Sequence, residues 1–250
     1  MSNNTLSNKI AVVTGATAFI GQAIAIKFAA LGATVIVNGR NEAAGAETVS
    51  QIEKMGGKAY FEKADLTDPD QITAMMKRID EAHGGIDILA VSGAGASTDS
   101  TPFKFFKDME LEDFNNCISS HWLTRIYAVK AAYPFMVKRG SGKIVMIGTD
   151  AGRTATVGES MIGGATSGMM QMTRALAREF GRDKIRINTV AMSFIYDAVP
   201  RWGEGSEKLE SSEGKGGMIE NLKKRMLFEV HTTDIAEAVA FFATPASDAI

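Results

Sequence analysis

Short apolar runs rich in β-branched residues alternate along the chain with longer stretches of helical spacing. Lys9–Thr14, Thr34–Val37, Ala59–Ala64, Ile86–Val91, Lys143–Ile147 and Ile185–Ala191 read as six buried strands. Between them, helical spacing runs over Phe19–Leu31, Asn41–Met55, Pro69–His83, Leu111–Val137 and Ser160–Phe180. Gly32, Gly56-Gly57 and Gly84-Gly85 stop the first three of these helices. Leu111–Val137 is one long helical region with Pro134 near its end, and a last helix spans Asp234–Ala243, capped by Thr233 or Asp234. Nearly continuous apolar strands alternating with helices predict an α/β fold, a parallel sheet covered on both faces. No repeat or linker divides the chain, so one domain over 1–250 is expected. The polar stretch Arg201–Gly217 has the composition of a mobile loop or lid.

Composition narrows the class. The chain has 250 residues, 45% hydrophobic and 22% charged, enough for one sizeable core. Its net charge of −2 offers no basic excess for nucleic acid. Cys117 is the only cysteine, which excludes an internal disulfide. The polar N-terminus lacks a signal-peptide pattern, and no apolar run reaches the ~18 residues of a membrane span. A cytoplasmic protein with no membrane partner is expected. His83, His121 and His231 are too scattered to suggest a metal site.

After the first strand comes Thr14-Gly15-Ala16-Thr17-Ala18-Phe19-Ile20-Gly21. A glycine-rich strand-to-helix turn lets backbone N–H groups and a helix N-terminus meet a pyrophosphate. Here the sequence resembles the short-chain dehydrogenase/reductase family, whose loop reads T-G-x-x-x-G-x-G. The resemblance runs from Lys9 to Asp248 and implies a Rossmann-like doubly wound sheet. Gly15 and Gly21 stand, but Phe19 replaces the middle glycine. Its ring either fills the pyrophosphate seat or turns away as a helix core residue. Damaged cofactor binding is expected, with Gly15, Phe19, Gly21, Arg40 and Asp65 as vestiges. Asn38-Gly39-Arg40 offers no acid for ribose hydroxyls. Arg40 suits a 2′-phosphate, so residual binding favours NADP, or else it is a solvated arginine. Asp65 matches the family's adenine-contacting Asp, or caps the next turn. Ser92-Gly93-Ala94-Gly95 occupies the place of the family's N-N-A-G.

The family pairs a Tyr acid/base with a Lys four residues on, one helical turn away. Thr173-Arg174-Ala175-Leu176-Ala177 is similar to the T-R-A-L-A that follows this pair. Counting back from Thr173 puts the Tyr position at Ile162 and the Lys position at Thr166. Neither residue transfers a proton. The whole segment from Ser160 to Thr173 is without an ionisable group. The family's Ser falls at Thr149 and its Asn at His121. The Pro-Gly after the sixth strand is Met192-Ser193. The chain stops at Ile250, before the family's seventh strand, so that strand is expected to be missing or replaced by a partner.

These departures cluster on the ligand side and spare the core. They imply a non-catalytic subunit that binds no cofactor itself and supports an active paralogue, which holds NAD or NADP, in a hetero-oligomer. The chain resembles the inactive subunits of heterotetrameric dehydrogenases of anaerobic toluene degradation, which act on 2-(α-hydroxybenzyl)succinyl-CoA. Small residues Gly163, Gly164, Ala165 and Gly168 suggest a helix packed on a neighbouring subunit, while Met169, Met170 and Met172 suit either that interface or ordinary core packing within the chain. The alternatives are a lyase or isomerase built on His121 and Asp150, an atypical NADP-dependent reductase, or an NADP sensor. Tyr196 lies where a substrate loop is expected. Glu159, just before the uncharged helix, reads as an acid suited to the helix dipole.

Overall fold

The computed structural model describes residues 4–93, 104–198 and 226–250. Six parallel strands are described: β1 (Ile10–Thr14), β2 (Thr34–Gly39), β3 (Lys58–Lys63), β4 (Ile88–Val91), β5 (Gly142–Thr149) and β6 (Ile185–Met192). Their order across the sheet is β3-β2-β1-β4-β5-β6. Helices α1 (Phe19–Ala30), α2 (Glu42–Lys54), α3 (Pro69–His83), α4 (Leu111–Ile118), α5 (Thr124–Arg139), α6 (Ser160–Phe180) and α7 (Thr232–Ala243) cover its faces. This is the doubly wound α/β arrangement that the alternating pattern predicts. The stretch Arg201–Gly217 lies outside the described residues. Among the described residues, no helix is long and apolar enough to cross a membrane.

The strand pleat sorts apolar side chains to two cores. Val13, Val35, Val37, Val145 and Ile147 face one side and pack with Ile24 and Phe28 of α1 and Val239 of α7. Val12, Ile36, Leu89, Ile144 and Met146 face the other, against Ile72, Met75 and Met76 of α3, Ala128 and Met136 of α5, and Met169 of α6. The interiors of the four central strands β2, β1, β4 and β5 are therefore apolar on both faces, as a parallel sheet between helix layers requires, while the edge strands β3 and β6 carry polar residues.

Local chemistry sets the helix ends. The Asp68 carboxylate accepts from the N–H groups of Asp70 and Gln71 at 3.0 and 3.1 Å, Pro69 fits the first turn, and Gly84 closes α3 at φ 78°. α7 begins at Thr232, two residues before the sequence reading placed it. The Asp234 carboxylate accepts from the His231 N–H at 2.8 Å, and Asp197 accepts from the Thr232 N–H and hydroxyl at 3.0 and 2.7 Å. The long helix expected over Leu111–Val137 is two helices joined by a π turn at Ser119–Leu123. No glycine or proline marks this turn in the sequence, so the helical pattern reads through it.

Candidate active site

Strand order reverses between β1 and β4, and in open parallel sheets ligands bind at the carboxyl ends of strands at such a reversal. Thr14 joins the two ends here. Its hydroxyl donates to the Ser92 carbonyl at 2.8 Å and accepts from the Ser92 N–H at 3.1 Å. Gly15 and Gly93 both take positive φ, and a Cβ on Gly15 would lie 2.6 Å from the Gly93 Cα. A Cβ on Gly21 would lie 2.2 Å from the Gly15 carbonyl oxygen. These contacts fold the turn back onto the start of α1. Ser92 and Gly93 are thus part of this packing, while Ala94 and Gly95 lie outside the described residues.

Phe19 adopts a left-handed backbone, a conformation that favours glycine, at φ 48°. Its side chain helps line an open cavity of about 600 Å³ between α1 and α7, with Gln22, Ala23, Ile26 and Ala236. The turn thus holds a phenylalanine where the backbone would suit glycine, with Gly15 and Gly21 still in close contact. Ala18, at the helix N-cap, provides no side-chain acceptor, and the first turn of α1 carries no acid. Among the described residues, the first turn of α1 thus holds neither a side-chain cap from Ala18 nor an acid, an arrangement that suits a phosphate. On these observations the residues present fit a dinucleotide.

Arg40 stands just beyond the end of β2, half-exposed, with its guanidinium 3.7 Å from the Asp65 carboxylate. Asp65 does not cap α3. It accepts from the N–H and hydroxyl of Thr67 at 2.9 and 2.8 Å, ordering the turn after β3. Asn38, fully buried, reaches across from β2 to donate to the Glu62 and Ala64 carbonyls.

Of the positions expected to carry the family's catalytic groups, Thr149 and Thr166 meet at the end of β5. Thr149 is its last residue, and its hydroxyl accepts from the Ala151 N–H at 3.2 Å. Thr166 is buried, and its methyl packs where Cβ atoms on Gly148 and Gly152 would lie, at 2.8 and 2.9 Å. Thr166, the residue expected at the family's Lys position, thus faces the end of β5 with a short side chain. Ile162 is half-buried one turn earlier.

His121 sits in the π turn. Burial, and then the neighbouring Arg125 charge, push its pKa down to about 3. So weak a base does not take protons from a substrate near neutral pH. Among the described residues no hydrogen bond joins it to Asp150. The expected His121/Asp150 base is therefore not assembled. Arg125 is buried and donates to the Ser120 carbonyl (3.0 Å), the Thr124 hydroxyl (3.3 Å) and the Ile147 carbonyl (3.3 Å). Burial, its main perturbation, lowers its pKa to about 10, so it stays charged at neutral pH. Tyr196 stacks edge-on against His231, with ring centroids 5.8 Å apart, at the start of α7.

Glu159, which the sequence reading assigned to the helix dipole, has a different setting. It is half-buried at the N-terminus of α6, and its carbonyl accepts from the Gly163 N–H at 2.7 Å. Burial and then the Asp150 charge push its pKa up to about 7, against a smaller stabilisation of the carboxylate by the Thr149 side chain. A lone acid bordering a helix start without ionisable groups was the sequence signal. Its proximity to Asp150 and Thr149 depends on the turn after β5, which spacing does not reveal.

The glycines of α6 also have an explanation within the chain. A Cβ on Gly168 would lie 2.3 Å from the Trp122 ring, and one on Gly163 would lie 2.8 Å from the Ala151 carbonyl oxygen. Only at Gly164, of these three, would a Cβ meet open space. A neighbouring subunit is not needed to account for Gly163 and Gly168.

A short chain dehydrogenase family profile matches residues 9–200. The chain belongs to the short-chain dehydrogenase family. It is 32% identical to 3-oxoacyl-[acyl-carrier-protein] reductase FabG of Vibrio harveyi, over 96% of this chain and 91% of that protein. It is 27% identical to the 7α-hydroxysteroid dehydrogenase of Escherichia coli K12, over 98% of this chain and 91% of that one. Among solved structures, a 7α-hydroxysteroid dehydrogenase in complex with NADH and 7-oxo glycochenodeoxycholic acid superposes with a TM-score of 0.84, at 27% identity. That match covers 100% of this chain and 93% of the other. A dehydrogenase/reductase of Sinorhizobium meliloti 1021 gives 0.83 at 26% identity, covering 98% and 91%.

These relatives correct the functional expectation. They are named for reductase and dehydrogenase activities, and nothing among them marks a non-catalytic subunit. The inactive-subunit reading, with its tie to 2-(α-hydroxybenzyl)succinyl-CoA oxidation, is set aside, as is the lyase or isomerase reading. An inability to bind cofactor likewise finds no support, given the intact turn and the NADH-bound structural relative.

Proposed function

We propose that the chain is an oxidoreductase that interconverts a ketone and a secondary alcohol on an acyl or ring skeleton, using NADP(H). The observation that carries this reading is the preserved phosphate turn, in which Phe19 takes a glycine's backbone and the first turn of α1 holds no competing acid. The relatives' named activities, on 3-oxoacyl and hydroxysteroid groups, supply the substrate class. Arg40, at the end of β2, supplies the cofactor preference, since a guanidinium pairs bidentately with a phosphate.

When bound, the nicotinamide supplies or accepts the hydride. The chain's own residues do the rest. The N–H groups at the start of α1 would hold a pyrophosphate, and Arg40 would hold a 2′-phosphate. The Thr149 hydroxyl, at the end of β5, orients the substrate oxygen. The test is NADPH oxidation by the purified chain with acetoacetyl-CoA and with 7-oxo glycochenodeoxycholic acid, followed at 340 nm. Substrate-dependent oxidation supports the reading. No oxidation with any ketone of either class contradicts it.

A further inference from the structure

A second cavity, of about 320 Å³, lies at the end of the sheet where the strands begin, opposite the crevice. Lys9, Lys143, Lys184 and Arg186 line it, against the carboxylates of Asp87 and Asp248. We infer that this cavity is an anion site that takes a phosphate group, free or as a phosphomonoester. The site is separate from the crevice. Lys143 and Thr149 lie near opposite ends of β5, about 20 Å apart at ~3.3 Å per residue.

The sheet itself gathers the cations. β1, β4, β5 and β6 are parallel neighbours, so their starts lie side by side. Lys9 directly precedes β1, and Lys143 is the second residue of β5. Lys143 and Arg186 are register partners on β5 and β6. Lys184 leads into β6 with a left-handed backbone, at φ 58°. Like charges side by side on neighbouring strands repel, and an anion between them relieves the repulsion.

The two carboxylates leave an excess of positive charge. Asp87 is already shared, since it accepts from Arg139 at 3.1 and 3.3 Å and pairs with Lys9 at 3.3 Å. Asp248 pairs with Lys143 at 2.5 Å. That hydrogen bond, and beyond it the Arg186 and Lys9 charges, hold the Asp248 carboxyl below the usual carboxylate range. Several cations thus act on one exposed acid. Arg186 donates to the Ser247 hydroxyl at 3.0 Å and to the main-chain oxygen of Ile250. The Lys184 ammonium is exposed and has no hydrogen bond or ion pair among the described residues.

A phosphate suits this set better than a single carboxylate. Its oxygens point in several directions and match donors that arrive from the starts of β1, β5 and β6, and a guanidinium meets two of them at once. The volume falls at the small end of the ~300–1,000 Å³ range of ligand pockets. Asp248 is the built-in competitor, because its carboxylate occupies the Lys143 ammonium that an incoming phosphate would use.

Titration of inorganic phosphate and of glycerol 3-phosphate into the purified full chain tests the site. Binding is read by ³¹P NMR and by the rise in Tm, with chloride holding the ionic strength constant. Saturable binding is expected. Its affinity should fall at least ~10-fold in Lys184→Asn, the value of one charged hydrogen bond, and should rise in Asp248→Asn. Lys184 is exposed and asparagine tolerates a left-handed backbone, so that variant keeps the fold. Equal affinity for the two probes makes free phosphate sufficient, and tighter glycerol 3-phosphate binding makes the ligand an ester. No saturable binding overturns the inference. So does binding that Lys184→Asn and Asp248→Asn leave unchanged, the result that a phosphate held at the start of α1 would give. Neither result bears on NADPH binding, so the inference and the oxidoreductase reading fail separately.

Discussion

The ring of Trp122 lies against Gly168, so close that a methyl group there would sit 2.3 Å from the indole. Trp122 belongs to the π turn between α4 and α5, and Gly168 to the middle of α6. The contact therefore fixes the segment carrying His121 against α6, the helix of Ile162 and Thr166. The indole Nε1–H is buried without an acceptor among the described residues, so packing and not hydrogen bonding holds the ring.

Gly168→Ala should destabilise the protein. Helix propensity alone favours alanine by about 1 kcal/mol. Forcing a methyl into a filled site costs about 1–3 kcal/mol, so the net change is expected to be a loss. Gly164→Ala, where a Cβ meets open space, is the control and should stabilise. Chemical denaturation of the two variants checks the opposite signs.

That pair also shows what the sequence could and could not reveal. The strands and most helices were legible, because apolar runs and capping residues such as Asp68 and Gly84 act locally. The glycines of α6 were visible, but not their partner: Trp122 is 46 residues away in the chain and reaches Gly168 only through the π turn. The same limit hid Glu159. Its neighbours Thr149 and Asp150 are close in sequence, yet their approach depends on the loop between them. His121 illustrates the converse. Its residue type suggested a base, and only its burial, with the Arg125 charge beside it, shows that it remains neutral.

Phe19 holds a left-handed backbone that costs an L-residue about 1–2 kcal/mol. Removing the ring changes packing as well, so the clean comparison is Phe19→Gly against Phe19→Ala. Glycine should be the more stable of the two by about 1 kcal/mol, the reverse of the ordinary helical order. Equal stability of the two variants would show that the turn does not impose this backbone.

Asp87, at the edge of β4, is almost fully buried and joins three elements. Its carboxylate accepts from the Ile10 N–H at 2.9 Å and from Arg139 at 3.1 and 3.3 Å, and it pairs with Lys9 at 3.3 Å. Burial raises its pKa, but the Ile10 hydrogen bond, then Arg139 and Lys9, outweigh it and hold the pKa below the usual value. A depressed folded pKa stabilises above the unfolded value near ~4 and is lost as pH falls through the folded value. Asp87→Asn should therefore cost about 3 kcal/mol at pH 7, and less below pH 4. Urea titrations at the two pH values check the convergence.

Glu159 has the opposite sign. Its folded pKa lies above the unfolded value, so its ionisation opposes folding, and stability declines as pH rises through the window between about 4 and 7. Thermal unfolding at pH 5 and pH 8 should show wild type losing more Tm over this interval than Glu159→Gln. A parallel loss in both proteins would mean that Glu159 titrates as an ordinary surface acid.

The central claim is that the turn from Thr14 to Gly21 still holds a dinucleotide, with Arg40 choosing the phosphorylated one. Calorimetric titration of NADPH and NADH into the purified chain tests it most directly. The account predicts micromolar NADPH binding and weaker NADH binding, with the difference reduced roughly 10- to 100-fold in Arg40→Ala, the value of a charged hydrogen bond of about 1.5–3 kcal/mol. Heat of dilution alone, with neither cofactor bound at millimolar concentration, would contradict it.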